Sequence, residues 1–364
     1  MKIKKLFDYM LTGFFHVRIK PETLQLPITG KCNSQCTTCN VWKQKERCDI
    51  SPEGLKKVLQ DEYLINVKYV GLNGGEPFLH SQFIEIIKDI LQLPKIKAIY
   101  IITNGIMTER IKTVLPEVNA LCKDRGVVIN LTISIDGVNE VYSIVRGVPA
   151  FDKVCDTVKE IASSKDNYCN NLTIGTTISR ANVAYISSVK ILAEELKVKA
   201  NYHLAVPNRR IFTTDEETYT VFHDLKSKSL ATELFFGLYK YSTTLKEKLL
   251  YFQNYYFLLS DGNTRISACN YRFQDLTIDE NLNLYYCARE SHQLGNLKEN
   301  TIRQILKAKK AKEELRRIAP ICHTCGHYIT LPTLKGMVLF IRETLKPGVW
   351  VRYQVESWLL RVLS

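Results

Sequence analysis

Three cysteines near the start of the chain sit in the run Thr29-Gly30-Lys31-Cys32-Asn33-Ser34-Gln35-Cys36-Thr37-Thr38-Cys39-Asn40. The C-x3-C-x2-C spacing lets one short loop aim three thiolates at a single centre. Iron–sulfur clusters commonly take four thiolates, so three leave one iron open to another ligand, as catalytic metal sites require. A zinc ion completed by a distant residue is the competing reading. A second set lies far downstream, at Cys269, Cys287, Cys322 and Cys325, the last two as C-x2-C. Four thiolates can close one tetrahedral or cuboidal site, and spacing alone leaves zinc and iron–sulfur equally open. Cys48, Cys122, Cys155 and Cys169 show no metal spacing. Cys122 and Cys155 fall in helical patterns and are expected as buried small apolar residues.

The first loop needs a scaffold, and residues 22–206 supply the pattern of one. Short runs rich in β-branched or aromatic residues predict strands at Leu24–Thr29, Lys68–Asn73, Ala98–Thr103, Val127–Ser134, Leu172–Ile178 and Ala200–Val206. Amphipathic helices are predicted between them, from Ser51 as N-cap and Pro52 at the first position to Tyr63, then over 82–92, 108–124, 151–163 and 182–197. Such alternation implies an α/β fold with a parallel sheet and helical crossovers. Periodicity does not choose between an open partial barrel and a doubly wound sheet. Either gathers its chemistry at the C-terminal ends of the strands.

Four strands end in residues suited to that place. After the second comes Gly74-Gly75-Glu76-Pro77, after the third Thr103-Asn104-Gly105. The fourth ends Ser134-Ile135-Asp136-Gly137, with Ser134 and Asp136 on one face by alternation. Ten residues beyond Asp136 stands Arg146, in Val145-Arg146-Gly147. With the cysteine loop directly after the first strand, this series resembles the radical S-adenosylmethionine (SAM) superfamily. The resemblance implies a partial (β/α)6 TIM barrel and a [4Fe–4S] cluster on Cys32, Cys36 and Cys39. Its open iron chelates SAM, and reductive cleavage yields a 5′-deoxyadenosyl radical that abstracts a substrate hydrogen. The SAM ammonium is expected at Gly74, Gly75, Glu76 and Pro77, with Asn104 in the adjoining turn. Ser134 and Asp136 are expected near the ribose or carboxylate, and Arg146 on the methionine carboxylate, where its fork suits that partner. One departure is Thr38, where the family usually has an aromatic residue.

The second cysteine set frames a hairpin pattern turning at Glu280-Asn281, then Leu294-Gly295-Asn296-Leu297 and a helix over 301–317 before Cys322-His323-Thr324-Cys325. This order is similar to the SPASM/Twitch extension of radical SAM enzymes. It implies a small C-terminal α+β domain with one auxiliary [4Fe–4S] cluster. The predicted organisation is a basic N-terminal segment (1–21), the barrel (22–210), a helical connector (211–263), the cluster domain (264–330) and a basic amphipathic tail (331–364).

An auxiliary cluster can accept an electron from a substrate radical, so the expected reaction is oxidation or epimerisation. Only about 22 residues precede the first strand, leaving no room for a leader-peptide domain, so a small-molecule or carbohydrate substrate is the leading expectation. A peptide-modifying maturase is the alternative. In a different class stand a zinc-stabilised nucleic-acid-binding protein, which the intact series of SAM motifs argues against, and a degenerate family member without turnover. The resemblance also implies a reductant such as flavodoxin or ferredoxin. Catalytic side chains are not assigned; Tyr202 and His203 lie on the sixth strand, where one of them could face the barrel mouth, with a core histidine the leading expectation for His203.

The 364 residues carry a net charge of +13, concentrated at the ends, which favours acidic partners. Eleven cysteines, an odd number in a long chain without a clean signal peptide, point to a reducing cytoplasm. No stretch is long and apolar enough to span a membrane. Leu334, Met337, Val338, Ile341 and Leu345 repeat at helical spacing, as do Val351, Val355, Trp358 and Leu359, with arginines interleaved. Such a tail can lie on a membrane surface, peripheral at its inner face, or dock on the protein itself.

Overall fold

The computed structural model describes residues 18–211, 215–267, 269–326 and 333–344. They fall into two compact units, one from residues 1–231 and 270–322, the other from 232–269 and 323–364.

The first unit holds six parallel strands, β1 (Thr23–Thr29), β2 (Tyr69–Gly74), β3 (Ala98–Thr103), β4 (Val128–Ser134), β5 (Asn171–Ile178) and β6 (Lys199–Leu204). Helices α1 (Pro52–Leu59), α2 (Phe83–Ile90), α3 (Thr108–Asp124), α4 (Glu140–Arg146), α5 (Phe151–Ser163) and α6 (Ile186–Glu195) connect them. Ser51 caps α1 as expected, its hydroxyl accepting from the Gly54 N–H at 3.3 Å. In α2 the face Phe83, Ile86, Ile87 and Ile90 is fully buried, each side chain contributing about 2 kcal/mol. Helix α4 falls where no helix was predicted, and it carries Arg146 at its last position.

Burial decides between the two architectures that periodicity left open. In β4, Ile129, Leu131 and Ile133 are buried, while Val128, Asn130, Thr132 and Ser134 between them are only half-buried. In β3, Ile99 and Ile101 are buried, but Tyr100 and Ile102 each expose 45% of their surface. A doubly wound sheet covers both faces and reads as uniformly buried. Here one face packs under helices and the other stays open, as in a barrel with an accessible lumen.

The sheet does not stop at β1. Strand β7 (Leu276–Ile278) adds parallel to β1, followed antiparallel by β8 (Asn283–Tyr285) and β9 (Gly295–Asn296). The full order is β6-β5-β4-β3-β2-β1-β7-β8-β9. The hairpin turns where predicted. The Asp279 carboxylate fixes it, accepting from Asn281 and Asn283 N–H at 3.0 and 2.9 Å and from the Tyr285 hydroxyl at 2.9 Å. The helix expected over 301–317 is two, α9 (Ile302–Lys307) and α10 (Lys309–Ile321), because Ala308 is extended at their junction.

Arg18 anchors this added edge. Its guanidinium donates to the carbonyls of Tyr271, Arg272, Gln274 and Asp275 at 2.8 to 3.0 Å and stacks 4.5 Å over the Tyr286 ring.

After α7 (Leu225–Tyr241), α8 (Leu245–Leu259) packs within the second unit against α11 (Leu334–Thr344) through Phe252 and Phe340, ring centres 5.3 Å apart. Leu334, Val338 and Ile341 on α11 are exposed. The N-terminal segment over 1–17 and the tail repeats from Leu345 to Leu359 lie outside the described residues. No helix among the described residues is long and apolar enough to cross a membrane.

Asp275 joins the edge to the barrel, its Oδ1 accepting from the Thr23 N–H at 2.9 Å while its buried Oδ2 has no hydrogen-bond partner among the described residues. Burial lifts its pKa from 3.8 to about 6. The folded chain therefore holds this proton to higher pH than the unfolded chain, and ionisation costs stability as pH rises through that window. Asp275→Asn keeps the Thr23 bond without the charge. It is expected to gain about 3 kcal/mol at pH 7.5 and nothing at pH 4, as read by chemical denaturation at the two pH values.

Candidate active site

The cysteine loop has little secondary structure of its own, so its neighbours hold it by backbone hydrogen bonds. Gly75 N–H donates to Thr29 O and Glu76 N–H to Lys31 O, both at 2.7 Å, which pins the loop to the end of β2. On the other side, Gln35 and Thr37 donate to the carbonyls of Arg146 and Val145, both at 2.9 Å. These are terminal carbonyls of α4, which lack partners within their own helix. The approach is close. A Cβ at Gly75 would lie 1.8 Å from Lys31 O, and one at Gly147 (φ +70°) would lie 2.4 Å from Gln35 O.

The loop turns its three thiols toward one region, where each feels the others or Arg146. Burial pushes the Cys36 thiol up to about 12 against the opposing pull of Arg146, and it raises Cys32 and Cys39 as well. A backbone N–H from Ser34 already points at Cys32 Sγ at 3.4 Å. Bare thiolates are costly in such a place, and a cationic metal centre would stabilise them.

The strand-end residues form two buried polar groups. Glu76 is 1% exposed. It accepts from Thr103 Oγ1 and Asn104 N–H, both at 2.7 Å, and from Phe78 N–H at 3.1 Å. Burial raises its pKa, with these donors opposing. Pro77 opens the turn that follows. Asn104 reaches the cysteine loop through Asn33 Oδ1 at 2.6 Å. The second group is an ion pair, Arg146 Nη1 to Asp136 Oδ2 at 2.9 Å, with side chains 11% and 1% exposed. Asp136 Oδ1 accepts from Thr177 N–H at 2.7 Å, so both carboxylate oxygens are engaged. The geometry makes Asp136 a holder of Arg146, while Ser134 stays half-buried at the end of β4. Gly74 takes φ +122°, with Thr29 O 2.5 Å from where a Cβ would stand.

The donor set fits an anionic cluster with an anionic ligand. Arg146 Nε and Ser34 Oγ are buried without a hydrogen-bond partner among the described residues. A guanidinium N–H orphaned beside three thiols suits a carboxylate or thiolate guest. No three His, Cys, Asp or Glu among the described residues are placed to hold a single metal ion. A cuboidal cluster makes no such demand, since each thiolate binds a separate corner.

The second cysteine set divides between the units, Cys287 and Cys322 in the first, Cys269 and Cys325 in the second. Around Cys287, Glu290 N–H points at the sulfur at 3.4 Å, and the thiol's field reaches Arg317. Arg265 Nη1 donates to Cys325 O at 3.1 Å. Cys122, Cys155 and Cys169 are buried as small apolar residues, and Cys48 bonds Asn281 Oδ1 at 3.2 Å.

His203 corrects an expectation. It is not a core residue but exposed on the open face of β6, bonded through Nε2 to Thr177 Oγ1 at 3.0 Å. Although solvent reaches its ring, the protein atoms crowded around it in the lumen disfavour the charged form and lower its pKa, with Asp136 opposing. Thr177 and His203 are register partners. Polar residues alternating along β5 and β6 were the sequence signal for both, since such alternation marks an uncovered face.

The radical SAM superfamily matches residues 26–186, and SPASM, an iron–sulfur cluster-binding domain, matches 269–326, spanning all four downstream cysteines. The chain belongs to the radical SAM superfamily and carries a SPASM domain. The family assignment implies SAM and iron–sulfur cofactors. It is similar to a probable GTP 3′,8-cyclase of Sulfurisphaera tokodaii, 26% identical over 49% of this chain and 53% of that protein. The match to the Methanocaldococcus jannaschii counterpart is 30% over 38% and 44%. This chain thus spans about half the length of these relatives. The mycofactocin maturase MftC of Mycobacterium tuberculosis is 23% identical over 85% of this chain and 76% of its own. Among solved structures, anSMEcpe with bound AdoMet and Cp18Cys peptide shares the fold at TM-score 0.59 and 15% identity, covering 93% and 99% of the two chains. Streptococcus suis SuiB bound to precursor peptide SuiA shares it at 0.60 and 14%, covering 85% and 70%.

Removing one member of a buried ion pair strands the other charge. Asp136→Asn is expected to lose about 3–5 kcal/mol of unfolding free energy, and Asp136→Asn/Arg146→Met to regain most of it, both measured by denaturant titration of the apoprotein.

Proposed function

We propose that this radical SAM enzyme modifies a peptide or protein, abstracting hydrogen from a neutral group that enters the barrel lumen. The observation that carries this reading is the chemistry of the lumen wall. Strand pairing puts Gln25, Asn73, Tyr100, Asn130, Thr132, Thr173, Asn201 and His203 on the open face. Several are already bonded as neutral pairs, Asn73 to Gln25 at 2.9 Å and Thr132 to Thr173 at 3.0 Å. Between Lys199 at the lower end and Asp136 with Arg146 above, that face carries no acid and no lysine or arginine. A triphosphate needs clustered cations. The arginines after β6 are committed elsewhere, Arg209 to Glu290 at 2.9 Å and Arg210 to Glu280 at 3.8 Å.

The wall instead offers amides and hydroxyls matched to peptide groups and neutral side chains. The long match to MftC and the peptide-bound anSMEcpe and SuiB support the same reading over the small-molecule or carbohydrate substrate expected first. They also support it over the nucleotide chemistry named by the shorter cyclase matches.

In this proposal Cys32, Cys36 and Cys39 hold a [4Fe–4S] cluster, and Cys269, Cys287, Cys322 and Cys325 hold an auxiliary one. When bound, the first cluster with SAM supplies the 5′-deoxyadenosyl radical. The chain's own part is to orient. Arg146, held by Asp136, presents a buried cation to the SAM carboxylate, and Gly74 and Gly75 bring backbone up to the ammonium. Asn104 ties the turn after β3 to the loop. The exposed row Leu334, Val338 and Ile341 supports an association of α11 with a membrane surface.

Anaerobic reconstitution is expected to load about eight irons per chain, falling by about half in Cys32→Ala/Cys36→Ala/Cys39→Ala. With reductant, deuterium should pass into 5′-deoxyadenosine from a deuterated peptide pool rich in Ser, Asn, Thr and Tyr. Transfer from deuterated GTP instead would sink the proposal.

A further inference from the structure

If Cys32, Cys36 and Cys39 hold a cluster, its reduction needs an electron donor, and the surface beside the loop has the character of a docking site. Directly after Cys39 the chain runs Asn40-Val41-Trp42-Lys43-Gln44-Lys45-Glu46-Arg47. Val41 is buried and anchors the segment, while Lys43, Lys45 and Arg47 are exposed together with one acid, Glu46, so the cations outnumber the acid three to one. None of these three forms an ion pair among the described residues. The nearby Lys31, by contrast, is neutralised by Asp49 at 2.7 Å. The segment borders a cavity of about 610 Å³ shared with Arg210, Asp279 and Glu280 on the hairpin side. Within it, Glu280 already answers Arg210, so the outer cations keep their charge for a partner.

A second observation ties this patch to the redox centre. Trp42 is half-buried, and its indole N–H donates to the Cys36 carbonyl at 3.3 Å, while the Lys43 ammonium lies 5.1 Å from its ring centre. One side chain thus touches both the backbone of a cluster cysteine and the positive surface. Of the three cysteines Cys36 is buried at 9% exposure, while Cys32 and Cys39 are half-buried.

We propose that the exposed face of residues 42–47 is the docking surface for an acidic one-electron carrier protein that reduces the centre at Cys32, Cys36 and Cys39. The inference rests on the reading of those cysteines as cluster ligands, and it adds the place and the charge of the reductant's contact. The carrier's reduced cofactor loses one electron, the cluster gains it, and no atom moves between them. Complementary charge accelerates such an encounter and makes it sensitive to salt.

The test uses the reconstituted full chain and substrate-independent formation of 5′-deoxyadenosine, driven by dithionite, by reduced flavodoxin or by reduced ferredoxin. Lys43→Glu/Lys45→Glu/Arg47→Glu is expected to lower carrier-supported kcat/KM about tenfold or more and to reverse its salt dependence, the rate rising with ionic strength as repulsion is screened. Dithionite-supported cleavage and iron content should stay within about twofold, which excludes misfolding. An unchanged carrier-supported rate would overturn the proposal, as would failure of both carriers where dithionite succeeds. Loss of co-sedimentation with phosphatidylserine vesicles, at an unchanged carrier rate, would assign the patch to a membrane instead. Absence of dithionite-supported cleavage in the wild-type chain would strike the cluster reading itself.

Discussion

A loop that must present three sulfurs to one centre cannot satisfy its own backbone, and the architecture around it answers this constraint. Gly75 and Glu76 grip it from the end of β2. The last carbonyls of α4 receive Gln35 and Thr37 from the other side. Each contact uses a group its own element leaves unpaired, so loop, strand end and helix end are complete only together. The glycines follow from the same demand, because a Cβ at Gly75 or Gly147 would occupy the space of the loop's carbonyls.

The same contacts place charge. Because α4 docks on the loop through its terminal carbonyls, the side chain of Arg146 enters the buried region near the cysteines. A lone buried guanidinium would be expensive, and Asp136, fixed by Thr177 N–H, offsets it. Glu76 plays the matching part between β2 and β3, locked by Thr103 and Asn104. Binding chemistry and structural support thus share residues. The lumen is different: its wall is neutral, and Trp42 with the lysines beside it faces outward. Lumen wall and outer segment therefore differ in character, one of amides and hydroxyls and one rich in positive charge.

Much of this was legible beforehand. The six strands fall within one or two residues of their predicted ends, since β-branched runs between turn residues leave little freedom. The cysteine spacings and strand-end motifs located the site. Less visible was α4, a short helix whose stability comes from docking more than from propensity. The exposure of His203 showed only as the alternation of Lys199, Asn201 and His203, whose meaning depends on which face the helices cover.

Sequence by itself determined the order of elements, the cysteines that can ligate iron and the strand ends where chemistry collects, because spacing and periodicity are local properties. Tertiary structure decided what depends on neighbours distant in the chain. It covered only one face of the sheet, which makes a lumen. It engaged both oxygens of Asp136, tying that carboxylate to Arg146 and to the Thr177 N–H. And it added β7 to β1 under the grip of Arg18, a clamp on four carbonyls more than 250 residues away that no local pattern encodes.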